Sequence, residues 1–145
     1  MAKMLDMIEK TVRGEIPPPP VARLIGFQIT SIDRGEAVVE FVATEAHANP
    51  MGTLHGGVLC DIADAAMGLA YAATLGEGES FTTLELKINF LKPVWKDKLR
   101  AVARVVKGGR TIGLVECDIT DSQESLIARS TSTCMTLRKE QASGR

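Results

Sequence analysis

Aromatic residues are scarce in this sequence of 145 residues, where they make up 4% and include a single Trp and a single Tyr. Proteins that bind single-stranded nucleic acid stack bases on several aromatic side chains, and little is available here for such a platform. An excess of one charge is also missing, because 17 basic residues oppose 18 acidic ones and leave a net charge of -1. No nucleic-acid partner is therefore predicted, and a polyanionic ligand would need a local cluster of positive charge.

Long hydrophobic runs are missing as well. No stretch reaches the roughly 18 uncharged apolar residues of a membrane-spanning helix, although residues 65–75 come closest. Near the N-terminus, Asp6, Glu9 and Lys10 interrupt any apolar run, so no signal peptide is predicted there. We expect a cytoplasmic protein without a membrane partner.

Cysteine is too rare for a disulfide framework. The three residues, Cys60, Cys117 and Cys134, are an odd number and contain no CxxC spacing. We interpret them as buried thiols in a reducing compartment. No metal site and no cofactor are predicted.

The remaining composition, 45% hydrophobic and 24% charged, is typical of one compact domain. Near the N-terminus, Met4, Met7 and Ile8 lie on one face of a predicted helix, and Pro17–Pro20 form a stiff segment that cannot be helix or central strand. The predicted organisation is a helix and proline-rich arm over residues 1–20, one domain over residues 21–138 and a flexible tail over residues 139–145.

Alternation of apolar and polar residues predicts strands on both sides of a long helix. Residues 27–32 and 37–43 alternate around a turn and predict a hairpin. Residues 55–75 are helical in composition and apolar almost all round, which is typical of a helix surrounded by protein. The later predicted strands cover residues 84–90, 98–107, 111–120 and 126–137. Because such a sheet needs a cover for its apolar face, the order predicts an α+β fold with an antiparallel sheet wrapped around one central helix.

Asp64 lies within this apolar helix, flanked by Ala63 and Ala65. A carboxylate in an apolar interior is costly, so Asp64 either faces a polar cleft or has a raised pKa. Alternatively, Asp61 and Asp64 are three residues apart and mark the solvent-facing side of the helix. The sequence leaves both interpretations open.

The loop before the helix carries a second candidate. It starts at Asn49 and leads to His55, Gly56 and Gly57 at the predicted helix start. Free N–H groups and the positive end of the helix dipole point outward there, and glycine lets a ligand approach the backbone. Such a geometry binds an oxyanion. The plainer alternatives are a flexible loop for the glycines and a capping or structural role for His55.

The spacing of these two candidates has a geometric consequence. His55 and Asp64 are nine residues apart, which on a helix corresponds to about 13.5 Å of rise and half a turn. They cannot converge on one small reacting group within one chain. If both belong to one active site, the helix start of one subunit must face the helix middle of another, which predicts a homodimer with two identical shared sites.

This pattern resembles the hotdog-fold acyl-CoA thioesterases of the phenylacetate-degradation type. The features that carry the resemblance are Asn49, the His55-Gly56-Gly57 motif, Asp64, and a strand Thr83-Leu84-Glu85-Leu86 followed by Lys92-Pro93. It extends roughly from the first helix to Leu137. It implies the hotdog fold, in which an antiparallel sheet wraps the long helix, and dimers that pair into a homotetramer.

The resemblance implies a role for each matched position. Asp64 would be the catalytic carboxylate, either as nucleophile on the thioester carbonyl or as general base for water. The N–H of Gly56 in the partner subunit would polarise the thioester oxygen, while His55 and Asn49 would orient substrate or water. Thr83 would supply a hydroxyl near the carboxylate.

The position of Thr83 conflicts with the strand pattern. Alternation places Thr82, not Thr83, in phase with Leu84 and Leu86, which are expected to face inward. Either the strand bends between them or Thr82 serves in place of Thr83.

The implied reaction is hydrolysis of an acyl-CoA or aryl-CoA thioester to the free acid and CoA. Met67 and Tyr71 would line the acyl pocket at the dimer interface. For the CoA phosphates, Lys107, Gly109 and Arg110 at a predicted hairpin turn are the candidates, although charges beside a tight turn can simply be solvated. The alternative functions are a hotdog dehydratase or hydratase acting on acyl thioesters and a non-catalytic acyl-CoA-binding protein.

Overall fold

The computed structural model of this protein describes residues 3–144. In this range the helices are α1 (Lys3–Val12), α2 (Pro20–Ile25) and α3 (Gly56–Ala72). The strands are β1 (Phe27–Asp33), β2 (Glu36–Ala43), β3 (Ser80–Phe90), β4 (Asp97–Gly108), β5 (Ile112–Thr120) and β6 (Leu126–Leu137). Short 3-10 helices cover Glu45–His47 and Lys139–Ala142, and the second lies in the segment expected to be a flexible tail.

The strands form one antiparallel sheet in the order β1-β2-β4-β5-β6-β3. This order leaves β1 and β3 as the two edges. The sheet curves around α3, which contacts all six of its strands. The predicted α+β architecture, an antiparallel sheet wrapped around one long helix, is confirmed.

The core between α3 and the sheet is built from aliphatic and small side chains. On α3, Ile62, Ala66 and Met67 are completely buried. The facing strands contribute alanines such as Ala101 and Ala103, which let the helix backbone approach the sheet closely. The continuous apolar surface of α3 is thus explained by burial on most of its circumference.

The N-terminal region differs from its prediction at Pro20. This residue was expected to belong to a non-helical proline segment, but it is the first residue of α2. A proline is favoured at that position because the first helical N–H has no partner inside the helix. Gly26 ends α2 with a φ of 96°, a left-handed conformation that glycine adopts without strain.

Strand β3 contains an irregularity that alternation does not reveal. Thr83 pairs with Cys134 and Glu85 pairs with Thr133, so the intervening Leu84 has no partner on β6. One extra residue on one strand of an antiparallel pair is a β-bulge, which exchanges the two faces of the strand.

The bulge decides which threonine faces α3. Before it, Phe81 and Thr83 lie on the helix side, and after it Leu86 and Ile88 do. The expectation that Leu84 faces inward was therefore wrong, because this side chain is 52% exposed. The first of the two alternatives for this strand, a bend, is the one observed.

Helix α1 packs against β1 and α3. Ile8 is its buried residue, whereas Met7, expected on the same face, is half exposed. Of the helices within residues 3–144, none is long and apolar enough to span a membrane.

Candidate active site

The start of α3 presents a backbone donor to solvent. His55 caps the helix, since its Nδ1 accepts a hydrogen bond from the N–H of Gly57 at 2.9 Å. The N–H of Val58 donates to the carbonyl of His55 at 3.0 Å. Within residues 3–144, the N–H of Gly56 finds no acceptor. This N–H and the positive end of the helix dipole therefore remain available to a ligand.

The cap also defines the chemistry that His55 can perform. Because Nδ1 accepts the N–H of Gly57, the proton of the neutral imidazole is on Nε2. The capping role considered for His55 is therefore the one observed, and the exposed Nε2–H is left as a second donor beside Gly56.

Asn49 shapes the loop that precedes the helix. Its Oδ1 accepts hydrogen bonds from the N–H groups of Met51 at 2.9 Å and Thr53 at 3.2 Å. Its Nδ2 donates to Oγ1 of Thr53 at 2.8 Å. With its polar atoms engaged inside the loop, Asn49 supports the position of the helix start.

A pocket of about 410 Å³ opens at this end of the helix. Asn49, Gly56, Phe90 and Lys92 are among the residues that line it. Lys92 is held by an ion pair with Asp121, with 2.6 Å between Nζ and Oδ2. The charge of Lys92 is thereby largely compensated before any ligand binds.

Asp64 lines a different cavity, an apolar groove of about 370 Å³. Ala65, Gly68 and Leu69 of α3 form one side, and Thr83 of β3 lies next to the carboxylate. Of all the residues that line this groove, Asp64 alone carries a charge.

The surroundings of Asp64 shift its acidity. Burial among apolar walls raises the pKa of its carboxyl group, and the nearby negative charge of Asp61 raises it further. A hydrogen bond from the Thr83 hydroxyl opposes both effects by stabilising the carboxylate. That hydroxyl is also 3.9 Å from the buried thiol of Cys134. Both Asp61 and Asp64 are accessible to solvent, but only Asp64 lines the groove and has a raised pKa.

The groove and the pocket at the helix start share no lining residue. Gly56 and Asp64 are eight residues apart on one straight helix, a rise of about 12 Å. One chain therefore brings Asp64 together with Thr83, and Gly56 together with His55 and Asn49, but it does not bring the two groups together. Each chain therefore contains two separate clusters of candidate residues.

Two predicted substrate-binding residues lie elsewhere. Thr82 pairs with Met135 and points away from α3, because the bulge places Thr83 on the helix side. Met67 has no exposed surface and packs against the sheet within a single chain. Neither lines the groove of a single chain, and their roles in substrate binding stay predictions.

The groove residues that the sequence prediction missed are Ala65, Gly68 and Leu69. They follow Asp64 by one, four and five residues, the spacing of one helical face. That spacing could have identified them.

Lys107, Gly109 and Arg110 form an exposed turn between β4 and β5. The turn lies beside the C-terminal end of α3, where Gly113 packs against Tyr71. Since α3 has 17 residues, it is about 25 Å long, and the turn is far from the helix start of its own chain.

Cysteine and metal chemistry have little support at this site. Burial raises the pKa of the Cys117 thiol to about 12 and also raises the pKa of Cys60. Such thiols are protonated at neutral pH and are poor nucleophiles. In the part of the chain that the structure describes, no group of His, Cys, Asp or Glu side chains is arranged to hold a metal ion.

The chain is similar to known thioesterases in both sequence and structure. Residues 51–128 match the family model of the thioesterase superfamily. The chain is 33% identical over 108 residues to the acyl-coenzyme A thioesterase PaaI of Escherichia coli, covering 74% of this chain and 75% of that protein. It is 32% identical over 115 residues to a 1,4-dihydroxy-2-naphthoyl-CoA hydrolase of Listeria monocytogenes, covering 79% and 94%.

Solved structures support the same assignment. A phenylacetic acid degradation-related protein from Ralstonia eutropha superposes with a TM-score of 0.79 at 36% identity, covering 88% of this chain and 97% of that one. The fold and site thus define a hotdog-fold enzyme, and the resemblance to the phenylacetate-degradation type is confirmed. The chain belongs to the thioesterase superfamily and is a thioester hydrolase.

The surroundings of Asp64 generate a prediction about its titration. We expect its carboxyl group to titrate above the ordinary Asp value of about 3.9. Asp61→Asn removes a neighbouring negative charge and should lower this pKa, whereas Thr83→Val removes the hydroxyl donor and should raise it. Carboxyl-carbon NMR titration of the three proteins measures both directions. A titration of Asp64 at or below its ordinary value in the unmodified protein would contradict this account of the groove.

Proposed function

We propose that this protein hydrolyses an acyl-CoA or aryl-CoA thioester to the free acid and CoA, with Asp64 as the catalytic carboxylate. The observation that carries the proposal is a single ionisable side chain in an apolar groove, next to the hydroxyl of Thr83. CoA thioesters are named as substrates of the relatives from Escherichia coli and Listeria monocytogenes, which supports this substrate class.

Asp64 can act by either of two balanced routes. As general base it takes a proton from water, the hydroxide adds to the thioester carbon, and the C–S bond breaks to release the CoA thiolate, which then takes up a proton. As nucleophile its oxygen adds to that carbon and expels the thiolate, and water then hydrolyses the mixed anhydride. A raised pKa makes the carboxylate a stronger base in the first route and a stronger nucleophile in the second.

The start of α3 supplies the complementary electrostatic contribution. Negative charge develops on the thioester oxygen when the carbonyl carbon is attacked. The free N–H of Gly56 and the Nε2–H of His55 are placed to stabilise that charge, and the helix dipole adds to them. Asn49 holds the loop that orients these donors.

A complete site requires these donors from a second copy of the chain. In the proposed homodimer, Gly56 of one subunit faces Asp64 of the other, and dimers pair further into a homotetramer. Edge strand β3 supports such pairing, because it has a free backbone edge and carries the exposed side chains of Leu84 and Phe90.

The symmetry of this dimer places Cys60 at its centre. Gly56, Cys60 and Asp64 are successive residues at a spacing of four and share one stripe of α3. If two antiparallel helices bring each Gly56 opposite the partner's Asp64, the two-fold axis passes near residue 60. The C-terminal end of each α3 then approaches the partner's loop that contains Asn49. The turn that contains Lys107 and Arg110 lies beside that end of α3 and would approach the same loop of the partner, which supports a contact with the CoA phosphates.

Replacing Asp64 tests the catalytic assignment. Asp64→Asn should lower kcat for benzoyl-, phenylacetyl- and medium-chain acyl-CoA by at least about 100-fold, because the base or nucleophile is lost. Release of free CoA is followed with a thiol reagent. Asp61→Asn is the matched control on the same helix: it removes only the smaller of the two effects that raise the pKa of Asp64, so its turnover should fall far less than 100-fold. Undiminished turnover by Asp64→Asn would rule out this mechanism.

The role of the Gly56 N–H is tested by Gly56→Pro. Proline suits the first helical position, and the extended backbone of His55, with a ψ of 131°, suits the residue before a proline. Loss of the N–H should lower kcat by about 100-fold or more. Gly56→Ala is the control, because its Cβ meets the same exposed ring of Phe90 at 2.8 Å while its N–H is kept. Equal losses in both variants would show that the donor is not used.

Mixing two inactive variants extends that test to the shared site. A heterodimer of Gly56→Pro and Asp64→Asn has one site with both functional groups intact. After random subunit exchange, about a quarter of wild-type activity should return. No recovery from subunits that do exchange would contradict a site built by two chains.

The dimer geometry is tested by cross-linking through Cys60. At an alkaline pH, where the Cys60 thiol ionises, a short bifunctional thiol reagent should join two subunits covalently, because Cys60 is partly exposed and lies next to its own copy in the proposed dimer. Cys117 and Cys134 are fully buried and should not react. Cys60→Ser is the control and should give no covalent dimer. A protein that is dimeric by size but yields no product through Cys60 would exclude this helix pairing.

A further inference from the structure

The sheet does not close around α3. Its edges, β1 and β3, are not hydrogen-bonded to each other, and a seam runs between them. The groove that contains Asp64 follows this seam, with Phe27 and Ile29 of β1 on one side and Phe81 and Thr83 of β3 on the other. The floor of the groove is the face of α3 that the sheet leaves uncovered.

Helix α1 covers part of this seam. Met4 and Ile8 line the groove, and Ile8 is only 9% exposed because it packs into the core. The floor beneath is made of small residues, Ala65, Gly68 and Ala72, which leave the space that the groove occupies. The distance along α3 from Asp64 to Ala72 is about 12 Å.

A second apolar cavity, of about 640 Å³, is also lined by this helix. It extends to the turn that contains Gly76 and Gly78. The two cavities share five lining residues, which therefore form the partition between them: Met4, Ile8, Pro19, Ile29 and Leu69. Of the two that α1 contributes, Ile8 is the more buried.

We propose that α1 forms the end wall of the acyl-binding groove and that Ile8 sets the largest acyl group the enzyme accepts. The inference rests on the proposed function of Asp64. Apart from Asp64 and Thr83, the groove offers no polar side chain. A charged or hydroxylated group would lose its water contacts against these walls without replacement, so the part of the acyl group that reaches α1 is apolar.

The test compares two substitutions of Ile8 across straight-chain acyl-CoA esters from acetyl to palmitoyl. Ile8→Ala removes part of the partition, so kcat/KM for the longest substrates relative to acetyl-CoA should rise by about tenfold. Ile8→Phe enlarges the wall and should shift the optimum to shorter chains. A ratio of two substrates in one preparation does not depend on how much of the protein is folded.

Leu5→Ala is the matched control on the same helix. Leu5 is partly buried but lines neither cavity, so its loss should leave the chain-length profile unchanged. An unchanged profile in both Ile8 variants, with acetyl-CoA still hydrolysed, would overturn the proposed role of α1 and leave the proposed thioesterase function standing. An equal shift in Leu5→Ala would also overturn it, because the effect would then come from loosened packing.

Failure of the proposed function gives a different result. If the wild-type protein hydrolysed none of these esters, thermal stabilisation by the same intact acyl-CoA series would still report which chain lengths bind. If the chain length that stabilises best changes in the Ile8 variants, α1 limits acyl length in binding even without catalysis. If it is the same in all variants, the inference about α1 is overturned, whatever the reaction.

Discussion

The constraint on which the structure depends is the enclosure of α3. Its surface is apolar almost all round, so it must be covered by protein. The twisted antiparallel sheet covers most of its circumference but leaves one face open. The uncovered face lies in the seam between β1 and β3, and Asp64 is on that face. The groove, the raised pKa of the carboxyl group and the part played by α1 all result from that incomplete enclosure.

In the proposed mechanism, the same helix also separates the two chemical functions of thioester hydrolysis. Its N-terminus supplies hydrogen-bond donors and a positive dipole end, and its middle supplies the carboxylate. A rigid helix keeps these groups about 12 Å apart. Under the proposed mechanism, a single chain contains all the required groups but needs a second copy to bring them together. In that arrangement, each subunit would contribute the start and the middle of its central helix to two different sites.

Much of the fold could be predicted because its signals are local. Alternation identified the hairpin of β1 and β2, and the apolar stretch identified α3. The bulge in β3 could not be located, because Thr82 and Thr83 are the same residue type and the alternation from Leu84 onward stays regular. Only the pairing of Thr83 with Cys134 and of Glu85 with Thr133 reveals the extra residue. The complete burial of Met67 could not be predicted for a related reason, since the sequence does not show which side of an all-apolar helix meets the sheet.

The sequence by itself determined an enclosed helix with a glycine-containing start and a carboxylate in its middle, because these features depend on residue types and their spacing along one element. The tertiary structure alone decided which threonine stands beside Asp64, which face of α3 forms the groove and which helix closes it. Those outcomes depend on the register of β3 with β6 and on the packing of α1 across the seam. Both are contacts between segments far apart in the chain, and local residue patterns do not encode them.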